Sequence, residues 1–576
     1  MPLFRRILAV FALLLALPQA ALAAPVGAGI WHGAGATPIG DLMLVVQIER
    51  GADGALKGDI ESRDQNPGRT MPLTSVTLDK ERLTFAVEAL QAKYEGTWSE
   101  ADKAWVGTFT QGIAMKLALK AGDAPATPVF AGLDGRWAGE VVLNGVTLRQ
   151  GLRFRTAPTG TIGLYESPDQ MVSGVPVRGL ARDGNAVRFT ILNGMLVFSG
   201  ALADDGQSLT GTLSQPGQTE LAITFKRQAA GAKAAAAKRP QLPTAPFPYR
   251  SEEVSIPNLA TPGVTLAGTL TLPEGKGPFP AAILISGSGA QDRDETLAGH
   301  KPFAVIADHL TRNGFAVLRL DDRGTAKSTG DFSKATSADF ASDANAAFAS
   351  LAARPDISSG KIGFIGHSEG GMIAPIAIAG NPKVAYVILL AGPGTKLDQL
   401  MLSQQRLIGS QMGRSEADLD KAEPVFAKIF AAVAKAKDNA EAEAAIEAIL
   451  TPQARADFGL PADAPASILT ARLGGPWFRY FLNYDPVPNL ARITVPVLAI
   501  NGALDRQVPA GDNLAAIRKA TAANKDVTIV ELPGLNHLFQ TAKTGGIGEY
   551  QMIEESFAPA ALDLMTAWLQ KRFAAR

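Results

Sequence analysis

Residues 366–371 read Gly366-His367-Ser368-Glu369-Gly370-Gly371 and lie between the apolar run 362–365 and the run 372–377. This order predicts a strand, a sharp turn and a helix, with the serine at the turn. Glycines two residues before and two residues after a serine let the strand and helix pack closely around a strained backbone, which exposes the hydroxyl above a sheet. We therefore predict that Ser368 is a nucleophile. The alternative is a glycine-rich turn that carries a solvated serine.

Composition limits the classes of protein to which the chain can belong. Its 576 residues suggest several domains, and 46% hydrophobic with 19% charged residues is typical of a globular chain. Lys+Arg and Asp+Glu both number 55, so no basic excess points to nucleic acid as a partner. The chain has no cysteine, which excludes a cysteine nucleophile, cysteine-ligated metals and disulfides. No Walker A loop, Rossmann fingerprint or H-E-x-x-H motif occurs, and we expect neither a cofactor nor a metal.

The first 23 residues have the pattern of a signal peptide. Arg5 and Arg6 precede an apolar segment at 7–17, and Ala21-Leu22-Ala23 matches a cleavage site. The apolar segment is too short to span a bilayer. We expect a periplasmic or extracellular protein with no membrane span after cleavage; an uncleaved anchor is the alternative.

The region that follows is predicted to be antiparallel all-β, in two similar parts at 25–124 and 129–228. Short apolar runs alternate with Gly, Asp, Asn and Pro turns, and helical periodicity is nearly absent. Motifs recur in the same order 104–106 residues apart, such as 107–111 and 211–215. We interpret this as an internal duplication of a sheet or small barrel. Generic β-meander patterning that matches itself is the alternative.

Residues 229–246, rich in Ala, Lys and Pro, are predicted to be a linker, and a different pattern begins at 247. Apolar strands then alternate with helices, which predicts a mostly parallel sheet with helices on both faces over 247–576. The alternation stops over 393–485, where amphipathic helical patterns predict a helical cap inserted between two core strands. The predicted strands are 280–285, 315–320, 384–390, 495–500 and 527–530, and the predicted helices are 303–312, 339–353 and 560–573.

A nucleophilic serine needs a histidine as base and an acid that orients the histidine. The chain has five histidines: His32, His300, His309, His367 and His537. In a fold of this kind the base follows the nucleophile in the chain, and the ring of His367 is too close in sequence to reach the hydroxyl usefully. Elimination leaves His537, in a loop after the last predicted strand. A surface loop histidine is the alternative.

The acid is expected in the loop after the preceding strand, and Asp505 is the candidate there. Its alternative role is that of a turn or helix-capping residue. Asp512 is the nearest rival, but its position better suits an N-cap for a helix over 514–519.

The negative charge that develops on the substrate oxygen needs backbone donors. The N–H of Glu369, after the nucleophile, is one candidate, and Ser288 in the glycine-containing loop 286–291 is the other, with Gly287 and Gly289 in competition. The Glu369 side chain could contact the substrate or be solvated at the surface. We interpret Asp292-Arg293-Asp294 as an ion pair that holds this loop, and Asp321-Asp322-Arg323-Gly324 as a structural turn.

These motifs together resemble those of bacterial α/β-hydrolase esterases of the serine aminopeptidase-like hydrolase group. The matching stretches are 286–294, 321–328, 366–371, 501–505 and 534–539. The resemblance implies an α/β hydrolase domain, a carboxylesterase activity on small acyl esters and no cofactor. Ala326 stands where a glycine is more usual in this group, and we expect its methyl group to matter little. The β-rich region lies outside the resemblance.

Three functions are compatible with the sequence. The first is a secreted serine esterase with Ser368, His537 and Asp505 as a triad, acting on a small-molecule ester with a short acyl chain. The second is an exopeptidase with the same triad, for which acidic residues such as Glu416, Asp418 and Asp420 could anchor a substrate amino group. In the third, the β-rich region binds a lipid or glycan and the hydrolase domain is inert.

Overall fold

The computed structural model describes residues 28–36, 41–51, 53–66, 68–79, 81–90, 92–111, 113–143, 146–157, 159–168, 172–191, 194, 196–214, 220–229, 238–411, 414–458, 469 and 473–573. The predicted signal peptide at 1–23 lies outside these residues. The chain divides into two compact units, Met1–Ala131 with Arg155–Ile162, and Gly132–Phe154 with Gly163–Arg576.

The first sheet has nine strands, and all of its pairings are antiparallel. Its strands are β1 Gly29–Gly35, β2 Leu42–Arg50, β3 Leu56–Ser62, β4 Thr70–Pro72, β5 Ser75–Leu78, β6 Arg82–Val87, β7 Ala92–Ser99, β8 Ala104–Gln111 and β9 Ile113–Ala121. Their order in the sheet is β4-β3-β2-β1-β9-β8-β7-β6-β5. Alternate side chains are buried, as Leu83, Phe85 and Val87 are in β6, which is the pattern of a strand with one face toward a core.

The second sheet also has nine strands, β10 Gly135–Leu143, β11 Val146–Ala157, β12 Gly160–Ser167, β13 Val172–Pro176, β14 Arg178–Asp183, β15 Ala186–Ile191, β16 Leu196–Leu202, β17 Ser208–Ser214 and β18 Leu221–Arg227. Their order, β13-β12-β11-β10-β18-β17-β16-β15-β14, repeats that of the first sheet strand for strand. The ring of Phe85 stacks on Tyr94 at 5.0 Å, and that of Phe189 stacks on Phe198 at 4.8 Å. Within the residues described, both sheets therefore match the antiparallel all-β prediction.

A third, mixed sheet forms the core of the remaining chain. Its strands are β19 Arg250–Pro257, β20 Thr265–Leu272, β21 Phe279–Ile285, β22 Ala316–Leu320, β23 Ile357–His367, β24 Val387–Leu390, β25 Val497–Gly502 and β26 Val527–Leu532, in the order β19-β20-β22-β21-β23-β24-β25-β26. The strands from β22 to β26 are parallel. β19 and β20 are antiparallel, and the sequence analysis did not predict this hairpin.

Helices cover both faces of the mixed sheet, as predicted. The helices that connect or follow its strands are α1 Pro302–Arg312, α2 Ser337–Ala352, α3 Gly370–Ala379, α9 Val487–Leu490, α10 Ala510–Ala520 and α11 Pro559–Phe573. Along β21, Ala281 and Ile283 join the core that α2, α3 and α10 cover, whereas Ala282 and Leu284 join the core that α1 and α11 cover. This alternation explains why buried strands of the mixed sheet are apolar throughout.

Among the described residues of the predicted insertion, 393–485, five helices lie between β24 and β25, namely α4 Leu397–Gln411, α5 Glu416–Lys435, α6 Asn439–Ile449, α7 Pro452–Phe458 and α8 Pro476–Asn483. They have a hydrophobic core of their own, to which Ile429, Val433 and Phe478 contribute. Part of the predicted insertion, including 459–468, lies outside the described residues.

The described end of the predicted linker, 238–246, is fixed against the domain that follows it. The Arg239 guanidinium donates to the carbonyl oxygens of Gln551 at 2.8 Å and Ile553 at 3.0 Å. The Gln241 side chain donates to the carbonyl oxygen of Phe557 at 2.7 Å and accepts its N–H at 3.0 Å. These residues therefore pack on the part of the chain that contains the mixed sheet.

Among the described residues, no helix is long and apolar enough to cross a membrane.

Candidate active site

Ser368 lies in the turn between β23 and α3 and has a left-handed backbone, with φ of +54°. Two residues before it and two residues after it, only glycine fits. A Cβ on Gly366 would lie 2.0 Å from the carbonyl oxygen of Gly370, and a Cβ on Gly370 would lie 2.1 Å from that of Ile285. The Ser368 N–H donates to the carbonyl oxygen of Leu390 at 2.8 Å. The strained turn expected from the sequence is therefore present and is held by neighbouring strands.

Asp505 follows β25, His537 follows β26, and the two side chains meet. Nδ1 of His537 lies 2.8 Å from Oδ2 of Asp505, and the side chains are 4% and 0% exposed. Oδ1 of Asp505 accepts the N–H groups of Gln507 and Val508, both at 2.8 Å. Since a carboxylate only accepts, Nδ1 carries the proton and Nε2 is left as a proton acceptor. This is the arrangement a general base needs.

Ser368 and His537 line the same cavity, which has a volume of about 210 Å³. Among the hydrogen bonds of the described residues, none joins the Ser368 hydroxyl to His537. Such bonds are often long before substrate binds and shorten in the complex. The structure thus brings all three predicted residues to one edge of the mixed sheet, with one of their two contacts formed.

Asp512, the rival acid, is exposed and lies in the first turn of α10. The prediction that it caps this helix is wrong. The helix begins at Ala510 after Pro509, whose fixed φ suits a helix start, so Asp512 is the third residue of the helix and not its cap.

Two backbone N–H groups are candidates for an oxyanion site. The Gly287 N–H donates to Oε1 of Glu295 at 2.7 Å and is therefore occupied. Among the described residues, the N–H groups of Ser288 and Glu369 have no protein acceptor. Ser288 and Glu369 line the cavity, whereas Gly289 does not. This favours Ser288 over both of its competitors.

The Glu369 side chain is buried, so the alternative of surface solvation is wrong. Its Oε1 accepts the Ser337 hydroxyl at 2.6 Å and the indole N–H of Trp477 at 2.8 Å. Burial raises the pKa of this carboxyl above its ordinary value, although Ser337, Trp477 and Ser288 lower it in part. Because Trp477 lies in α8, this carboxyl connects the inserted helices to the residue after the nucleophile.

Asp322 accepts hydrogen bonds from the loop 286–291, which carries Ser288. One of its oxygens accepts the Ser286 hydroxyl at 2.8 Å, and the other accepts the Gln291 N–H at 2.9 Å. Burial, together with the nearby charges of Glu369 and Glu295, raises the pKa of Asp322 to about 8. Only a structural role was predicted for this residue, and no motif indicates the raised pKa of its carboxyl.

The ion pair predicted within Asp292-Arg293-Asp294 is wrong. Arg293 instead pairs with Asp321 at 2.8 Å and Glu253 at 2.9 Å. The two motifs, which the sequence analysis treated separately, thus form one network beside the oxyanion loop. Arg323 adds a buried pair with Asp343 at 2.7 Å. No spacing rule connects residues 28 positions apart, so the sequence held no signal for these partners.

Ala326 has a left-handed backbone, with φ of +47°. The glycine usual at this position is explained by that conformation, which disfavours a Cβ by about 1–2 kcal/mol. The expectation that the methyl group matters little is therefore wrong for the backbone energy.

Apolar side chains from the inserted helices complete the cavity. Leu400 and Met401 come from α4, and Trp477 and Phe481 come from α8; Val508 closes the wall near Asp505. The described residues contain no group of three or more His, Asp or Glu placed to hold a metal ion. The site is therefore a small pocket that combines apolar side chains of the inserted helices with a serine and a buried histidine–aspartate pair.

Known proteins are similar to part of this chain. The family model for the X-Pro dipeptidyl-peptidase (S15 family) matches residues 262–533, which is less than half of the chain. Esterase EstD of Thermotoga maritima is 27% identical over 306 residues, which cover 53% of this chain. The chain spans 66% of the length of that esterase.

Among solved structures, the α/β hydrolase GrgF from Penicillium sp. sh18 aligns with 57% of this chain and 100% of its own, at 18% identity and a TM-score of 0.37. The Pyrococcus furiosus esterase Pf2001 aligns with 60% of this chain and 100% of its own, at 15% identity and a TM-score of 0.36. The family model and the esterase relative together indicate that the chain is a hydrolase enzyme.

Proposed function

We propose that this protein is a serine hydrolase that cleaves carboxylic esters with short acyl chains through an acyl-enzyme. The observation that carries the proposal is the buried 2.8 Å bond between His537 and Asp505 at the cavity that Ser368 lines. A left-handed serine between two glycines that tolerate no Cβ supports the same assignment. The esterase relative makes the ester bond the favoured substrate class.

In the proposed reaction, the Ser368 hydroxyl attacks the ester carbonyl carbon while Nε2 of His537 takes its proton. Asp505 keeps the proton on Nδ1 and stabilises the imidazolium that forms. The N–H groups of Glu369 and Ser288 donate to the oxyanion of the tetrahedral intermediate. His537 then protonates the leaving alcohol, and water releases the acyl group from Ser368 by the same steps.

The pocket supports short acyl groups. Its volume of about 210 Å³ lies below the roughly 300–1,000 Å³ of pockets for drug-sized ligands. Leu400, Met401 and Phe481 make its walls apolar. We propose that the inserted helices act as the predicted cap, because two of them supply these walls.

The exopeptidase alternative is favoured by the S15 family match, but the structure offers it little support. Glu416 and Asp420 pair with Arg406 on the surface, and neither they nor Asp418 line the cavity. The Glu369 carboxyl does reach the cavity, but Ser337 and Trp477 already donate to it. The other carboxyl that lines the cavity, Glu295, faces the His367 ring at 2.9 Å, so both carboxyls of the described lining already have partners.

The test compares p-nitrophenyl esters from acetate to decanoate with aminoacyl and X-Pro dipeptidyl p-nitroanilides. We expect the highest kcat/KM for short esters, with activity lost in Ser368→Ala. A higher kcat/KM for the amides would replace the esterase proposal with the peptidase one. Equal hydrolysis by wild type and Ser368→Ala in pure samples would refute the catalytic assignment.

Two further proposals concern the rest of the chain. Residues 25–124 and 129–228 are an internal duplication, which the repeated strand order and the matching aromatic stacks support. The protein is exported to the periplasm or beyond after cleavage following Ala23. N-terminal sequencing of the protein from fractionated cells tests the second proposal, which would fail if the protein kept residues 1–23 in the cytoplasm.

A further inference from the structure

His367 precedes the nucleophile and has no part in the reaction proposed above, although it is buried at the same cavity. Its Nδ1 lies 2.9 Å from Oε1 of Glu295, and its Nε2 lies 2.9 Å from the carbonyl oxygen of His537. A carboxylate and a carbonyl oxygen both accept hydrogen bonds and donate none. Both ring nitrogens are therefore placed to donate, as they do in an imidazolium.

Glu295 is the second member of this pair. It is 4% exposed and has a left-handed backbone, with φ of +52°. The oxygen that faces His367 also accepts the Gly287 N–H at 2.7 Å. One buried carboxylate oxygen thus contacts both the loop that carries Ser288 and the ring next to the nucleophile. Strained backbone conformations such as that of Glu295 cluster at active sites and ligand-binding sites.

The charges around the pair come from several loops. Glu295 and Asp505 face His367, and the rings of His367 and His537 lie 4.9 Å apart between centroids. Asp322 also lies near Glu295. Burial lowers the pKa of His367, but Glu295, the carbonyl of His537 and Asp505 outweigh burial, so that the pKa is raised overall. This direction agrees with the two protons that the hydrogen bonds require.

We propose that Glu295 and His367 are positioning residues, whose ion pair connects the backbone of the oxyanion loop at Gly287 with the backbone of the base at His537. The inference rests on the proposed function. The connected segments follow three separate strands, β21, β23 and β26, so their spacing depends on contacts between loops. Catalytic groups must be held within about 0.5 Å of the productive geometry, and this pair supplies a fixed link.

Glu295→Gln keeps the size of the side chain and removes its charge. We expect kcat to fall by about 10- to 100-fold, the scale of a misplacement of about 1 Å, with KM changed less than about threefold. Without that charge, burial lowers the pKa of His367, so the imidazolium would be lost as pH rises. Activity of the variant should therefore decline further as pH rises through 6–8, a limb that wild type and His367→Gln lack.

The double variant Glu295→Gln/His367→Gln tests whether the two residues act together. If they form one link, the double variant should be as active as the less active of the two single variants. Losses that multiply, or the same pH profile in Glu295→Gln as in wild type, would overturn the proposal. His309→Gln is the matched control, because His309 lies on α1 and contacts Asp563 at 3.8 Å; its kcat should equal that of wild type.

A second measurement needs no turnover. In Ser368→Ala labelled with ¹⁵N-histidine, five rings give signals, and His367 is assigned by its loss on His367→Gln. We expect both of its nitrogens to be protonated at pH 8, and only one after Glu295→Gln. A neutral His367 ring at pH 8 would overturn the proposal. If wild type hydrolyses no ester while this signal is as expected, the proposed function fails and the ion pair stands.

Discussion

In the second nine-stranded sheet, Gln150, Tyr165 and Ser167 are buried and bond to one another. At the edge of the mixed sheet, Asp505 and His537 are also buried and bond to one another. Each group has a member that lines a cavity, Gln150 in the first and His537 in the second. Both groups satisfy the rule that buried polar atoms are hydrogen-bonded. They differ in charge, since the first consists of an amide and hydroxyls and the second of ionisable side chains.

This difference indicates where the chemistry lies. A buried ionisable group is costly unless it is paired, whereas a neutral network is tolerated in a core once its bonds are made. Glu295, Asp322, Glu369 and His367 join Asp505 and His537 around the same loops. Such a concentration of buried titratable groups is typical of a functional site. The buried network of the second nine-stranded sheet is neutral, as in a core. Four predictions test this difference between the nine-stranded sheets and the mixed sheet.

The largest effect is expected from Asp505→Asn. The amide can still accept from Gln507 and Val508, so we expect the fold to survive, but it cannot hold the proton on Nδ1 of His537 in the same way. The loss in kcat should be about 10⁴-fold, as found when a triad aspartate becomes asparagine. Steady-state kinetics on the preferred p-nitrophenyl ester measures it. The exposed Asp512→Asn is the control, and an equal loss there would refute the assignment of the acid.

The second prediction concerns the turn of the mixed sheet. Gly370→Ala would place a Cβ 2.1 Å from the carbonyl oxygen of Ile285, and the turn must move. We expect a destabilisation of about 1–3 kcal/mol or more and at least a tenfold loss in kcat for the folded fraction. Gly380→Ala, at the other end of α3, has no neighbour closer than 3.6 Å. Its urea midpoint and kcat should match those of wild type; retained activity in Gly370→Ala would contradict the prediction.

The third prediction applies the same change to the nine-stranded sheets. A Cβ on Gly211 would lie 2.2 Å from the carbonyl oxygen of Ser199, and one on Gly107 would lie 2.2 Å from that of Glu95. Each alanine variant should lose about 1–3 kcal/mol of stability to overpacking, with kcat per folded molecule unchanged. Urea unfolding followed by tryptophan fluorescence, with exposed Gly360→Ala as control, measures this. A large fall in kcat would show that the sheets take part in turnover.

The last prediction concerns the dependence of stability on pH. The raised pKa of Asp322, about 8, means that the folded state binds a proton that the unfolded state releases near pH 4. Stability should therefore fall as pH rises from about 4 to 8, by no more than about 1.4 kcal/mol per pH unit for this group. Asp322→Asn mimics the protonated acid and should flatten that slope. An unchanged slope in urea unfolding at pH 5, 6, 7 and 8 would contradict the prediction.

Local pattern was sufficient for the nucleophile turn and for most elements of the mixed sheet. The predicted strand at 280–285 is β21, Phe279–Ile285, and the predicted helix at 303–312 is α1, Pro302–Arg312. Buried parallel strands and their helices have strong apolar patterns, which explains this agreement. The hairpin of β19 and β20 was not predicted, because it departs from the alternation of strands and helices on which the prediction rested.

Elimination among five histidines pointed to His537, and the order of strands pointed to Asp505. The structure brings these two side chains together for a topological reason, since loops at the carboxyl ends of parallel strands meet at one edge of a sheet. The partners of Arg293 and the burial of Glu369 had no comparable rule. Their neighbours come from loops and helices distant in the chain, such as Asp321 and Trp477.

From residue order alone came the serine at a strained turn, the histidine and aspartate after the last two strands, and the two similar β-rich parts. These depend on periodicity and on spacing along the chain, which are properties of short segments. Only the folded chain showed that Glu295 contacts both His367 and Gly287 and that burial raises the pKa of Asp322. Those properties depend on burial and on charges brought together from separate loops, and no segment contains them by itself.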